Sequence, residues 1–177
     1  MPLLNLSKID SSRVSKILLD RINSKARDLL KCNQWPNTDN VIHWFKLRDT
    51  SRKLKFIQFN ICKFYPSITE NLLHKTLDYL GNIVDIPVRD REIINAARMT
   101  LLYSGGRTWV KKDGIWDVSM GSWDGAEVCE AVGLYLLHRI QSLNISIGLY
   151  RDDGLCISDR TKRQNENMKK LILKNFK

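Results

Sequence analysis

The sequence predicts an α+β fold: an antiparallel β-sheet with helices packed on one face, plus a helical N-terminal part. Three observations predict it. Two stretches, SGGRTWVKKDGIWDV and NISIGLYRDDGLCIS, read as short strands on either side of an Asp-Gly pair, the strongest short hairpin signal. Several other segments carry apolar residues at helical spacing. The order is helical start, strand, two helices, hairpin, helix, hairpin, helix, which suits a layered α+β arrangement. With 177 residues and 43% hydrophobic content, the chain is large enough for one compact core.

Each element has its own reason. Residues 9–31 place Val14, Ile17, Leu18, Ile22 and Leu29 near helical spacing, with Ser11 or Ser12 as cap, and Trp35-Pro36 ends the run. A short helix over 38–47 starts at Thr38 as cap and carries Val41, Trp44 and Phe45. KLKFIQFNI, residues 53–61, reads as a mostly buried strand. FYPSITENLL turns at Pro66, and Ser67 or Thr69 starts a helix to about Leu80. Pro87 stands where helix-opening prolines stand and predicts a helix over 88–103. The first hairpin turns at Asp113-Gly114, and residues 123–142 form a long apolar helix. The second hairpin turns around Arg151-Asp152-Asp153-Gly154, and 161–176 form a basic helix. The division expected is a helical part over 1–52 and a sheet-bearing part over 53–177.

The net charge of +10 favours polyanionic partners, nucleic acid first and an acidic membrane second, while saying nothing about fold. It is uneven: residues 1–60 carry a net of +7, and residues 111–150 carry three basic and five acidic residues, a net of −2. A solvated basic surface explains the charge equally well. Cys32, Cys62, Cys129 and Cys156 lie far apart with no C-x-x-C pair, and His43, His74 and His138 lack zinc-ligand spacing. The cysteines read as reduced, mostly buried thiols of an intracellular protein, cytoplasmic or nuclear and not secreted. No signal peptide and no membrane span is expected.

IGLYRDDG, residues 147–154, carries the sharpest chemical signal. An acidic turn is usually structural. Here, however, two neighbouring carboxylates repel each other, a turn needs only one, and the flanks are apolar. A rigid platform presenting two carboxylates suits Mg²⁺, which takes a few hard oxygen ligands and keeps other positions for water and phosphate. Two-metal phosphoryl chemistry needs a further carboxylate from a neighbouring strand. The neighbour is the strand that ends at Asn60.

Three stretches, FNICKFYPSI, MGSWDGAEVCE and GLYRDDGL, stand in that order and resemble palm motifs A, B and C of the reverse transcriptases, most nearly a divergent group from mobile elements. The resemblance covers most of the chain. It implies an RNA-directed DNA polymerase palm that joins deoxynucleotides to a primer 3′ end with two Mg²⁺ ions. Its partners would be an RNA or DNA primer-template and deoxynucleoside triphosphates, without a membrane. It implies that Asp152 binds the catalytic metals, that Asp153 supports it, and that Tyr150 opens the motif. Tyr65, five residues after Asn60, falls where the family places an aromatic gate against a 2′-hydroxyl; a core role is the alternative. Met120-Gly121 falls where the family has a glycine that lets backbone approach template or incoming base; a plain turn before a helix is the alternative.

The departures matter as much. Motif A has Asn60 where the family has aspartate, which removes a full negative charge from a site meant for two dications. The sequence therefore predicts lost or severely impaired activity, with weak Mg²⁺ binding at Asp152, Asp153 and Asn60. A small-polar pair in motif B is replaced by Gly125-Ala126, and Arg151 puts a bulky cation inside motif C. The chain ends soon after motif C, so a thumb is expected to be missing or supplied by another chain. The competing reading is a catalytically inactive remnant that binds RNA or DNA through its basic surface. Lys53, Lys55, Lys111, Lys112, Arg151, Lys162, Arg163, Lys169 and Lys170 are candidate phosphate contacts, or solvated surface. Trp109 and Trp116 are candidates for base stacking, or cross-strand packing. Glu127 and Glu130 are candidate extra acids, or ordinary helix N-terminal residues.

Overall fold

The computed structural model describes residues 10–47, 55–100, 102–110, 112, 114–118, 121–142, 146–158 and 160–175. Among them, seven helices accompany two small antiparallel sheets, in keeping with the α+β class. Contacts divide the chain into two compact units that interleave in sequence, residues 1–29 with 63–132 and residues 30–62 with 133–177. No helix among the described residues is long and apolar enough to cross a membrane.

The first unit holds most of α1 (Ser11–Leu30), then α3 (Phe64–Ser67), α4 (Glu70–Gly81), α5 (Val88–Ala96), β2 (Leu102–Ser104), β3 (Arg107–Trp109) and the start of α6 (Gly125–Gln141). The buried face of α1 is Ser12, Ser15, Leu19, Ile22, Asn23 and Ala26. That differs from the expected face: Val14, Ile17 and Leu29 are exposed. The reason is polar. Asn23 Nδ2 donates to the Glu127 carbonyl at 2.9 Å, and Lys16 and Arg27 pair with Glu127 and Glu130 of α6. Those bonds turn α1 so that small residues and Leu19, Ile22 and Ala26 face inward.

Thr69 caps α4 as expected, its hydroxyl accepting from Leu72 N at 3.2 Å. The turn expected at Pro66 is a single helical turn, α3, ahead of it. Pro87 precedes α5 as expected, but the helix stops at Ala96 instead of reaching 103. Beyond it the backbone finds extended partners: Asp117 N donates to Arg98 O at 2.9 Å and Thr100 N to Ile115 O at 2.6 Å. The first hairpin is displaced too. β2 and β3 close around Gly105-Gly106, both at positive φ (60° and 76°), the requirement of a tight two-residue turn. Asp113-Gly114 does not close it; Asp113 lies outside the described residues. Trp116 consequently pairs with Met99, and its indole donates to Asn95 Oδ1 at 3.0 Å, so it is not the cross-strand partner of Trp109.

The second unit holds α2 (Thr38–Lys46), β1 (Lys55–Asn60), the remainder of α6, β4 (Ser146–Tyr150), β5 (Asp153–Ser158) and α7 (Lys162–Asn175). Asn37, not Thr38, caps α2, its side chain accepting from Asn40 N at 3.1 Å. The sheet order is β1-β5-β4, all antiparallel. Gln34 adds a parallel bridge beside Leu149, with Trp35 N donating to Leu149 O at 2.8 Å. One sheet face carries Cys156 and Ser158, which meet Met168 and Asn165 of α7. On the other, Tyr150, Leu155 and Ile157 pack with Trp35, Trp44 and Val41. The rings of Trp35 and Trp44 meet edge to face, centroids 4.9 Å apart. Trp35 lies over Gly148, where a Cβ would meet its ring at 2.2 Å. β1 is less buried than expected: it is the edge strand, and Phe56 is half exposed even while stacked on Phe45. Cys32, Cys129 and Cys156 are buried and Cys62 is exposed, and none of the four is in a disulfide.

Candidate functional site

The acidic stretch sits where two strand pairs share one residue. Asp153 pairs with Asn60 across β1–β5 and with Tyr150 across β4–β5. Directly opposed residues point to one face, so Asn60, Asp153 and Tyr150 form a row. Asn60 Nδ2 donates to Asp153 Oδ1 at 3.1 Å. Ile61 N donates to Asp152 O at 2.8 Å, which fixes the turn against the end of β1.

The turn residues are Arg151 and Asp152, inside the expected Arg151–Gly154 span and two residues before the Asp-Gly pair. Arg151 has φ of 56°, the left-handed region that ordinary side chains enter at a cost. Only the first of the two turn residues is left-handed, the pattern of a II′ hairpin turn, which normally prefers glycine there. The guanidinium of Arg151 lies 5.6 Å from the Tyr150 ring centroid. Gly154 belongs to β5 and serves close approach: a Cβ there would meet the Phe59 ring at 2.0 Å. The consequence is that Asp153 is exposed and Asp152 half-buried at a rigid sheet end.

The donor set is two carboxylates and one amide. Among the described residues neither aspartate has an ion-pair partner, and no group of three or more His, Cys, Asp or Glu comes together. Two carboxylates with an amide oxygen fit one hard cation. They fit two dications poorly, because the third charge is absent and the Asn60 amide nitrogen already engages one Asp153 oxygen.

The other candidates lie elsewhere. Tyr65 is half-buried in α3, and Gly121 is exposed in a turn, where an added Cβ would have nothing within 4 Å. Both belong to the first unit. Met120, Lys53 and Lys111 lie outside the described residues. Lys112, Lys162, Arg163, Lys169 and Lys170 are exposed. Lys55 donates to the Arg160 carbonyl at 2.9 Å, and Lys169 pairs with Glu166 at 2.8 Å. Glu127 and Glu130 are held by Lys16 and Arg27 in the first unit. Arg98 and Asp124 form a fully buried ion pair there that sequence reasoning missed; an isolated arginine 26 positions from its partner leaves no local pattern to find.

A scan of protein-family models finds no match, and neither does a search of curated proteins. Among solved structures, the chain is similar to telomerase from Candida albicans, a reverse transcriptase-related enzyme, in a complex with a TWJ fragment of telomeric RNA. The TM-score is 0.64 at 15% identity, covering 94% of this chain and 32% of that one. The chain thus shares the fold of the part of that telomerase it covers, and spans about a third of the length of the telomerase chain it matches.

Proposed function

We propose that this chain is a reverse transcriptase-like palm, of the divergent mobile-element kind, in which nucleotidyl transfer is silenced at Asn60 and nucleic-acid binding is retained. The supporting observation is the Asn60–Asp153 pair, with an amide donating to a carboxylate where motif A would bring a second acid. In this reading residues 53–177 are the palm and residues 1–52 the fingers-like part.

Asp152 and Asp153 would hold Mg²⁺, with Asn60 as a neutral third ligand; bound ions would supply charge stabilisation at the transferring phosphoryl group. What this chain's residues do is present two carboxylates at a fixed sheet end. Tyr65 is the candidate gate against a 2′-hydroxyl, and Met120-Gly121 the candidate approach to template or base. The missing charge sets the scale. A unit charge about 4 Å from another, at an effective dielectric of about 20, is worth about 4 kcal/mol. Lost from a transition state, that is about a thousandfold in rate.

Primer extension with Mg²⁺ or Mn²⁺, the chain beside Asn60→Asp, tests this. The expected result is no extension by the chain and measurable extension by the variant. Extension by the unmodified chain overturns the charge argument. Binding to a primer-template is expected from both proteins and weakens steeply with salt.

A further inference from the structure

The β2–β3 hairpin takes no part in the site above. Its register pairs Leu102 with Trp109, Tyr103 with Thr108, and Ser104 with Arg107. Alternate residues of a strand share a face, so Arg107 and Trp109 stand side by side on one face of the ribbon. Trp109 is 53% exposed, and Arg107 and Lys112 are exposed as well. Residues 100–114 contain three cations, Arg107, Lys111 and Lys112, and one acid, Asp113; Lys111 and Asp113 lie outside the described residues.

A second exposed tryptophan makes the contrast. Trp123 carries the Arg13 guanidinium 4.8 Å from its ring centroid, so the chain covers that ring with its own cation. The Trp109 indole N–H instead donates to the Ser104 carbonyl at 3.3 Å, within the hairpin. Its polar requirement is met while much of the ring stays in solvent. A π-surface beside Arg107, in a stretch whose three cations outnumber its one acid, matches a strand of unpaired bases better than an apolar or a basic partner. The Gly105-Gly106 turn at positive φ holds the ribbon tight, so the two side chains keep their spacing.

We propose that the β2–β3 hairpin is a contact for single-stranded nucleic acid, with Trp109 stacking on a base and Arg107 and Lys112 meeting the adjacent phosphates. The proposal rests on the reading that the chain binds nucleic acid, and the test separates the two. Fluorescein-labelled oligothymidylate, oligouridylate and an abasic strand, each about 10 nucleotides to span one site, are titrated with the full chain by anisotropy. The variants are Trp109→Ala, Trp109→Phe, Arg107→Ala and, as control, Trp123→Ala.

Trp109→Ala is expected to weaken both base-bearing strands about tenfold and to leave the abasic strand unchanged. Trp109→Phe keeps most of the affinity, which separates stacking from loss of fold. Arg107→Ala lowers the salt slope by about one for every strand, and Trp123→Ala changes nothing. Equal binding by the chain and Trp109→Ala overturns the hairpin proposal while the nucleic-acid reading stands. Failure of the unmodified chain to bind any strand overturns both. Comparison of the thymidylate and uridylate strands tells whether DNA or RNA is preferred.

Discussion

Two groups of carboxylates in this protein have opposite surroundings. Asp124, Glu127 and Glu130, near the start of α6, each meet a cation: Arg98, Lys16 and Arg27. Asp152 and Asp153, at the β4–β5 turn, meet none among the described residues; Asp153 has only the Asn60 amide. Both groups look alike in sequence, as acids close to an apolar segment. The first holds the fold together, and the second is presented to solvent by a rigid sheet. An acid answered by a buried cation is structural, whereas an acid kept without one on a stiff frame is available for another positive partner.

Stability measurements break or sharpen that distinction. The largest effect is expected at Asp124, which is 0% exposed against Arg98 at 1%. Asp124→Ala strands a buried guanidinium and costs about 3–5 kcal/mol, read from the urea midpoint. Asp153→Ala, at an exposed position, stays within about 0.5 kcal/mol. Similar losses at both sites would erase the distinction. The glycines divide in the same way. Gly148→Ala drives a Cβ into the buried Trp35 ring and to 2.8 Å from the Asn33 carbonyl, at about 1–3 kcal/mol. Gly121→Ala meets nothing and leaves stability unchanged, so any loss of function there reports on a ligand.

Asn60→Asp probes the second group directly. Without metal it sets like charges directly opposite each other, costing about 0.2–1 kcal/mol. Added Mg²⁺ is expected to raise the melting temperature of this variant more than that of the parent, because ligand binding to the native state stabilises it. An identical Mg²⁺ response in both proteins would sink the assignment of the turn as a silenced cation site. This thermal shift does not depend on catalysis, so it remains informative if the chain needs other parts to extend a primer.

How much of this is legible in the sequence follows from the range of the forces involved. The strands of the second hairpin, the starts of α4 and α5, and the long helix α6 are local patterns, and the sequence places them near their true positions. The first turn is misplaced, and the second falls at the start of its expected Arg151–Gly154 span, because an Asp-Gly pair is a strong signal at both hairpins and closes neither. At 113–114 a Gly-Gly pair upstream offers two left-handed residues instead; at 153–154 the glycine is required by the Phe59 ring. The face of α1 escapes periodicity because Asn23, Lys16 and Arg27 take partners about a hundred residues away. The pairing of Asn60 with Asp153 is reached from sequence only through a family resemblance. Strand register across 93 residues leaves no periodic trace in the chain itself.

The smallest effects are expected in alkaline solution, where the first group of carboxylates has a signature the second lacks. The hydrogen bond from Lys16 to Glu127 holds the lysine pKa above its ordinary 10.5, against the opposing pull of burial. A raised amine contributes stability that is fully present below the unfolded value and is lost as pH rises through the folded one. Burial also pushes the Cys32 and Cys156 thiols up from 9.0 to about 11. Between those values the unfolded chain releases thiol protons that the folded chain keeps, so stability falls there as pH rises. The urea midpoint is therefore expected to decline from about pH 9, first through the thiols and then through Lys16. Cys32→Ala with Cys156→Ala should flatten the early part, and Lys16→Met the later part. Asp153→Ala should change neither, since no cation among the described residues pairs with it. If Lys16→Met declines in parallel with the parent above pH 10.5, the α1–α6 ion pair contributes nothing measurable in solution. The two groups of acids would then differ at Asp124 and in burial, and not through every pair that the fold draws together.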